Sequence, residues 1–296
     1  MIYTVRHTTL YEYDNFVSYC HNLATLKPRE YSGQELMEYT LKISPDPTGL
    51  SERLDFFGNN ITRFSIEGLH NKLEVTTHSK IKRDYGAIRA SFFSDRCKMI
   101  TLDEALSTLK SNTPQKLETQ PFVLESPLIR KINDKIRAYA KVSFQANRSV
   151  FDAGLELMQR IFIDFKFDSG FTNVATPISE AFEAKKGVCQ DFAQIAIACV
   201  RSVGLPARYM SGYIETLPPK GQKKLVGSDA SHAWFAMYIP GFGWVDFDPT
   251  NNQIPADQHL VLAWGRDYYD VPPLKGVIYS NGKNKMKVAV DIIQQG

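Results

Sequence analysis

From Tyr3 to Tyr13 the chain alternates. Tyr3, Val5, His7, Thr9, Tyr11 and Tyr13 fall on one side, and Thr4, Arg6, Thr8, Leu10 and Glu12 on the other. A period of two predicts a strand. Met37, Tyr39, Leu41 and Ile43 repeat the pattern, and further strands read at Ile61–Glu67 and Leu73–Ile81, divided by Gly68-Leu69-His70-Asn71 as a turn. Residues 1–85 are therefore expected to form an all-β, sandwich-like domain. The period then changes. Lys110–Pro127 is polar and carries prolines, so it reads as a linker, whereas Ile129, Ile132, Ile136 and Tyr139 recur at three- and four-residue spacing and predict a helix over Pro127–Lys141. Residues 86–146 thus read as linker plus connecting helix. Ser149 is placed to cap a helix through Phe165, and Ser179–Lys185 reads as a short helix.

The strongest helical stripe follows. Phe192, Ile195, Ala196, Cys199, Val200 and Val203 share one face, Gly204 lies just past the end, and Pro206 prevents continuation. Cys189 extends that stripe into the first turn, where unpaired N–H groups favour a negative charge and lower a thiol pKa. A strand, Ala207–Thr216, comes next, then the polar stretch Pro218–Ser228, whose position before His232 suits a cleft wall. Two aromatic runs, Ser231–Ile239 and Trp244–Thr250, flank Pro240-Gly241-Phe242-Gly243 and predict a hairpin. Residues 147–252 form the expected core. Residues 253–296 add strands at Leu260–Trp264, Val277–Ser280 and Lys285–Ile293, with Asn281-Gly282 as a hairpin turn.

That order, strands first and then helices mixed with antiparallel strands, predicts an α+β fold. The hairpin brings chemistry with it. His232 opens its first strand and Asp248 closes its second, so the two ends lie side by side. With a helix-start cysteine beside them they make a Cys–His–Asp triad: Cys189 attacks, His232 carries the proton, and Asp248 holds the imidazole tautomer. Directly opposite residues share a face. His232 and Asp248 therefore share one only if the loop holds an odd number of residues, three or five, or carries a bulge. Asp246, two residues away, is the fallback orienter. The Cys189 backbone N–H is the expected first oxyanion donor, with Gln190, Trp234 and Tyr209 as candidates for the second. Asp191 suits the helix start for dipole reasons. Arg208 and Tyr213 lie on the neighbouring strand, either lining the cleft or packing beside it.

Here a resemblance enters. Gly187-Val188-Cys189-Gln190-Asp191-Phe192-Ala193, Gly204-Leu205-Pro206-Ala207-Arg208-Tyr209, Ser231-His232-Ala233-Trp234 and Phe247-Asp248-Pro249-Thr250 resemble the bacterial transglutaminase-like family, whose members are classed as candidate cysteine proteases. Tyr3–Tyr13 with Leu26-Lys27-Pro28-Arg29 is similar to that family's amino-terminal β domain, and Gly265-Arg266-Asp267-Tyr268 to its carboxy-terminal part. The resemblance implies a papain/transglutaminase-like core of cysteine helix and antiparallel sheet and catalytic roles for Cys189, His232 and Asp248; it does not give the substrate, for which a peptide or protein is the expectation. It permits hydrolysis or transamidation. No D-x-D-x-D-G calcium loop is present, which favours a peptidase or amidase over a calcium-switched crosslinker.

Composition narrows the rest. The chain has 296 residues, 43% hydrophobic, with a net charge of +3. That charge is too small to imply nucleic acid or an anionic membrane as partner. No apolar run reaches the ~20 residues of a membrane helix. The amino terminus is strand-like and lacks a signal-peptide core, so a cytoplasmic protein is expected. Cysteines at 20, 97, 189 and 199 show neither disulfide nor metal spacing. Cys189 and Cys199 lie roughly 15 Å apart along one helix. His7, His21, His70 and His78 are scattered and read as ordinary surface or core histidines. No cofactor is implied. Two other classes stay open: a zinc site on Cys189, His232 and Asp248, and a binding module on the same fold without turnover.

Overall fold

The structure is a computed structural model and describes residues 1–111, 114–173, 176–216, 230–279 and 281–295. The expected cleft-wall stretch Pro218–Ser228 lies outside them. The amino-terminal part is all-β: strands β1 (Ile2–Ala24), β2 (Gln34–Ser44), β3 (Gly49–Leu54) and β4 (Asn60–Arg83). β1 and β4 are far longer than alternation suggested. Gly68-Leu69-His70-Asn71 is not a turn; it is an irregularity inside β4, opposite a register shift between Glu12, Val17 and Tyr19 on β1. Gly68 takes φ +118 there, so the chain bulges and pairing resumes beyond it. The result is one hydrogen-bonded sheet in which β1 and β4 run through both halves.

Residues 86–146 are more structured than a linker. They carry α1 (Gly86–Phe92), α2 (Asp95–Lys98), α3 (Leu102–Lys110), α4 (Pro114–Thr119) and α5 (Asp134–Ser143). α5 begins later than the apolar spacing implied because Lys131 takes φ 48 and Asn133 caps the helix through Ile136 N–H. Segment 122–126 is held by Arg201, a buried guanidinium that donates to Phe122 O, Leu124 O, Ser126 Oγ, Ala207 O and Arg266 O. One side chain thus satisfies five acceptors, most of them on irregular chain.

The core comprises α6 (Val150–Asp164), the short strand β5 (Lys166–Phe167), α7 (Ile178–Ala184), β6 (Lys186–Gly187), α8 (Cys189–Ser202), and strands β7 (Ala207–Ile214), β8 (Ala230–Ile239), β9 (Gly243–Phe247) and β10 (His259–Gly265). Ser149 caps α6, whereas α7 starts after Pro177 with no side-chain cap. The four long strands form an antiparallel sheet in the order β10-β7-β8-β9, and α8 packs on β7 and β8. Among the described residues no helix is long and apolar enough to cross a membrane.

The last two strands, β11 (Leu274–Tyr279) and β12 (Asn284–Gln295), both run antiparallel to β1, β11 along Tyr19–Ala24 and β12 along Ile2–Tyr13. They therefore point the same way and do not form a hairpin. Asn281-Gly282 carries the chain past the β1 bulge, where Asp14 N–H donates to Lys283 O at 3.0 Å. A local Asn-Gly signal is overridden by long-range pairing.

β10 is an edge strand, and the amino-terminal sheet covers its open edge with two side-chain amides. Gln34 donates to Val261 O at 2.7 Å and accepts from Val261 N–H at 2.9 Å. Asn59 does the same to Trp264, at 2.8 and 3.0 Å. Each amide imitates a neighbouring strand and leaves no free ladder groups there. His7, buried in β1, bridges Thr9 and Tyr213 across the same boundary. Burial pushes its pKa down to about 4, so it is neutral in the native state. The Gln34→Ala variant should lose about 2–4 kcal/mol of stability in denaturant unfolding, because it strands two buried peptide groups. A loss below about 0.5 kcal/mol, the range of ordinary surface substitutions, would show that the amide clamp does not hold the edge.

Candidate active site

The β8–β9 register decides which side chains meet. Ile239 pairs with Gly243 and Phe235 with Phe247. The loop is therefore Pro240-Gly241-Phe242, one of the two lengths that parity allows, and Gly243 belongs to the strand. Phe242 N–H donates to Ile239 O at 3.0 Å, and Gly241 takes φ +75 after Pro240, the pattern of a type II turn. The same register sets Asp248 across from Trp234, so His232, Trp234, Asp246 and Asp248 share a face.

Asp248 is fully buried and collects five donors. Its Oδ2 accepts from His232 Nε2 at 2.9 Å, His259 Nε2 at 3.0 Å and Asn251 Nδ2 at 2.7 Å. Its Oδ1 accepts from the backbone N–H groups of Thr250 and Asn251 at 3.0 and 3.3 Å. Burial alone would raise this carboxyl, but His232 and His259 outweigh it and hold Asp248 below the usual carboxylate range. Burial likewise works against a charged His232. The Asp248 carboxylate, its hydrogen bond and the adjoining Cys189 outweigh that effect and raise the ring to about 10. Nε2 is committed to Asp248, which leaves Nδ1 as the ring nitrogen open to the neighbouring Cys189 thiol.

Cys189 is the first residue of α8 and the only one of the four cysteines that is not fully buried. First-turn N–H groups have no partner inside the helix, so those of Cys189 and Gln190 are available to an anion. The approach to the helix is tightly built. Asp191 reaches back to Val188 N–H at 2.8 Å and accepts from Thr172 Oγ1 at 2.6 Å. A Cβ on Gly187 would stand 2.6 Å from Asp191 Oδ2, so only glycine fits. Asp191 is thus a capping residue that fixes the start of α8.

The other candidates separate. Trp234 gives its single donor to Asp246 Oδ2 at 3.3 Å and is fully buried, so it cannot serve an oxyanion; its ring stacks beside His232 at 5.9 Å. Asp246 also accepts from Tyr85 at 3.3 Å and makes no bond to His232, so Asp248, not the fallback, orients the imidazole. Tyr209 is buried near Cys189; burial first, then the sulfur, push its phenol well above the ordinary value and keep it a donor. Gln190, next to Cys189 in the chain, is half-buried. Gly212 faces His232 across β7, and a Cβ there would lie 2.8 Å from the Trp234 ring.

Two residues escape sequence reasoning. His259 opens β10 and accepts from Ala256 N–H at Nδ1, 3.4 Å, which fixes the proton on Nε2 toward Asp248. Burial lowers its pKa, so it acts as a neutral donor. Asn251 follows directly on the Phe247-Asp248-Pro249-Thr250 motif, but nothing in its residue type singled it out. His232, Asp248 and His259 are also close enough to be considered as metal ligands. Their separations are those of hydrogen bonds to a single oxygen, and a ring held at about 10 is a poor ligand. Cys189, part of the zinc alternative, is not in that cluster.

The His232 pKa has a testable sign. Its folded value lies above the unfolded value of about 6.5, so its contribution to stability is complete below about pH 6.5 and fades as pH rises toward 10. An imidazole NMR titration should show His232 still protonated at about pH 8 and His259 neutral. A His232 midpoint near the ordinary 6.5 would contradict the pairing.

Comparison with known proteins identifies the family. The profile of the bacterial transglutaminase-like N-terminal region matches residues 3–82, and that of the transglutaminase-like superfamily matches residues 137–249. A protein of Mycobacterium tuberculosis, carried as uncharacterised, is 36% identical over 297 residues, covering 98% of this chain and 92% of its own. A protein-glutamine gamma-glutamyltransferase of Pseudomonas aeruginosa is 32% identical over 122 residues, 39% of this chain and 18% of that protein. The crystal structure of a candidate cysteine protease from Cytophaga hutchinsonii superposes with TM-score 0.75 at 21% identity, over 100% of this chain and 92% of that one, and so shares the fold. The chain belongs to the transglutaminase-like superfamily, with that group's bacterial amino-terminal region in front of the core.

Proposed function

We propose that this chain is a cysteine-nucleophile acyl-transfer enzyme, a peptidase or amidase that works through a thioester on Cys189. The observation that carries the reading is a buried imidazole bonded to a buried carboxylate beside the helix-start thiol: His232 donates to Asp248 at 2.9 Å, and Cys189 lies near enough to raise the ring. A ring raised to about 10 is charged at neutral pH and can give its proton to a leaving group.

In the reaction the Cys189 sulfur attacks an amide carbonyl carbon and forms the C–S bond. The oxyanion takes hydrogen bonds from the first-turn N–H groups of α8, with Tyr209 as the neighbouring side-chain donor. His232 gives its proton to the leaving nitrogen as the C–N bond breaks. Water then attacks the thioester while His232 takes a proton from it; the acid is released and the thiol is restored. Asp248 stays ionised throughout and steadies the imidazolium. His259 and Asn251 keep its carboxylate in place. Four free cysteines suit a reducing compartment.

A second reading has one observation in its favour, the transferase name of the Pseudomonas relative over 39% of this chain. An amine would then replace water in the second half, and the product would be a new amide. A binding module without turnover is the remaining alternative.

Acylation with p-nitrophenyl acetate, followed by intact mass and peptide mapping, tests the reading. Cys189 should carry the acetyl group, and the His232→Ala variant should acylate about 10²–10⁴-fold more slowly. Adding a fluorescent primary amine separates the outcomes: release as acid means hydrolysis, and capture by the amine means transfer. Acylation indifferent to Cys189→Ala and His232→Ala would sink the enzyme reading.

A further inference from the structure

A second constellation lies on the same sheet face as His232, away from the thiol. Arg208 on β7 stands opposite Ala236, four residues from Gly212, which faces His232. That is roughly 13 Å along the strand. Arg208 is only 7% exposed, and its guanidinium makes no hydrogen bond among the described residues; its Nε is buried without a partner. Trp264 lies 3.9 Å and Trp244 4.4 Å from its carbon, so the stacking covers its faces. Stacked guanidinium faces leave the in-plane N–H edge for something else.

That edge borders a cavity of about 410 Å³, lined also by Arg29 and by one carboxylate, Glu118. Arg29 stacks on Trp264 at 3.4 Å and donates through Nη1 to Phe57 O and Asn59 Oδ1, while its Nε has no partner. Both arginines are lowered to about 10, burial being the main cause, and both remain charged at neutral pH. Asp246 is the carboxylate nearest in effect to Arg208, and its Oδ2 is taken by Trp234 and Tyr85. A buried and a half-buried arginine with open donor positions outnumber the single carboxylate lining the cavity and call for an anion that brings acceptors of its own.

The cavity continues into a wider cleft of about 720 Å³, with Phe56, Phe57, Leu117 and Pro121 common to both. Phe56 is 82% and Leu117 79% exposed, an arrangement that leaves large apolar groups waiting for cover. The cleft also carries Asp55, Glu125, Lys275 and the Arg266–Asp270 pair. An apolar floor with charges of both signs suits a peptide better than a hydrocarbon tail.

We propose that this pocket binds the C-terminal carboxylate of a peptide ending in apolar residues, with Arg208 and Arg29 as the carboxylate's donors and the Phe56–Leu117 cleft receiving the preceding residues. The site is separate from the Cys189 centre, and its test does not need turnover.

The full chain carrying Cys189→Ala is titrated calorimetrically, with indole fluorescence read in parallel because Trp244 and Trp264 flank the site. The probes are N-acetyl-Ala-Leu-Phe with a free carboxylate, its C-terminal amide, and N-acetylphenylalanine. The acid peptide should bind saturably, at least tenfold tighter than the amide and tighter than N-acetylphenylalanine, and the added Arg208→Gln change should weaken it at least tenfold. Equal binding of acid and amide overturns the carboxylate assignment without depending on any variant's folding. Equal binding of the peptide and N-acetylphenylalanine overturns the peptide assignment. No saturable binding overturns the site.

Discussion

The Asp248 carboxylate is the constraint around which the core is assembled. A fully buried anion is tolerable only if every lone pair finds a donor, and here five converge on it. They come from three places: β8 supplies His232, the turn after β9 supplies Asn251 and two backbone groups, and β10 supplies His259. The charge therefore fixes the relative position of three elements distant in sequence. It also fixes the chemistry, because the oxygen that steadies His232 Nε2 leaves the ring's other nitrogen for the sulfur.

This requirement explains why the amino-terminal sheet and the core share a chain. His259 reaches Asp248 only if β10 pairs with β7, and β10 is an edge. Gln34 and Asn59 occupy its open backbone groups, so the sheet before the core supports a histidine after it. β11 and β12 then return to β1 and close the circuit. Arg201 performs the matching task behind α8, where it satisfies the carbonyls of 122–126 and anchors the far end of the helix whose first residue is Cys189.

Elements whose cause is local were readable in the sequence. The cysteine helix follows from its stripe, its glycine stop and Pro206. The face shared by His232 and Asp248 follows from parity, although only the structure shows that Gly243 joins the strand. Features with a non-local cause were not readable. The β1 alternation is lost at Asp14–Ser18, yet the strand continues because β4 runs beside it. Asn281-Gly282 looks like a hairpin, yet both flanking strands are claimed by β1. His259 carries no motif, since its meaning depends on a carboxylate eleven residues back and on a strand pairing made with β7. Arg208 reads as a strand cation until Trp244 and Trp264 are seen stacked against it. Trp234, an oxyanion candidate by proximity in sequence, is taken by Asp246 because alternate residues on paired strands meet.

The central claim is that Cys189 is the nucleophile and that His232, held by Asp248, is the imidazole that activates it. The most direct measurement is the rate of iodoacetamide labelling at Cys189 from about pH 4 to 10, in wild type and His232→Ala. The other three cysteines are 0% exposed, so labelling of the native protein reports Cys189. The account predicts fast labelling that persists well into acid in wild type and is lost in His232→Ala. Labelling that rises only near the free-thiol value of about 8.5, alike in both proteins, would contradict it.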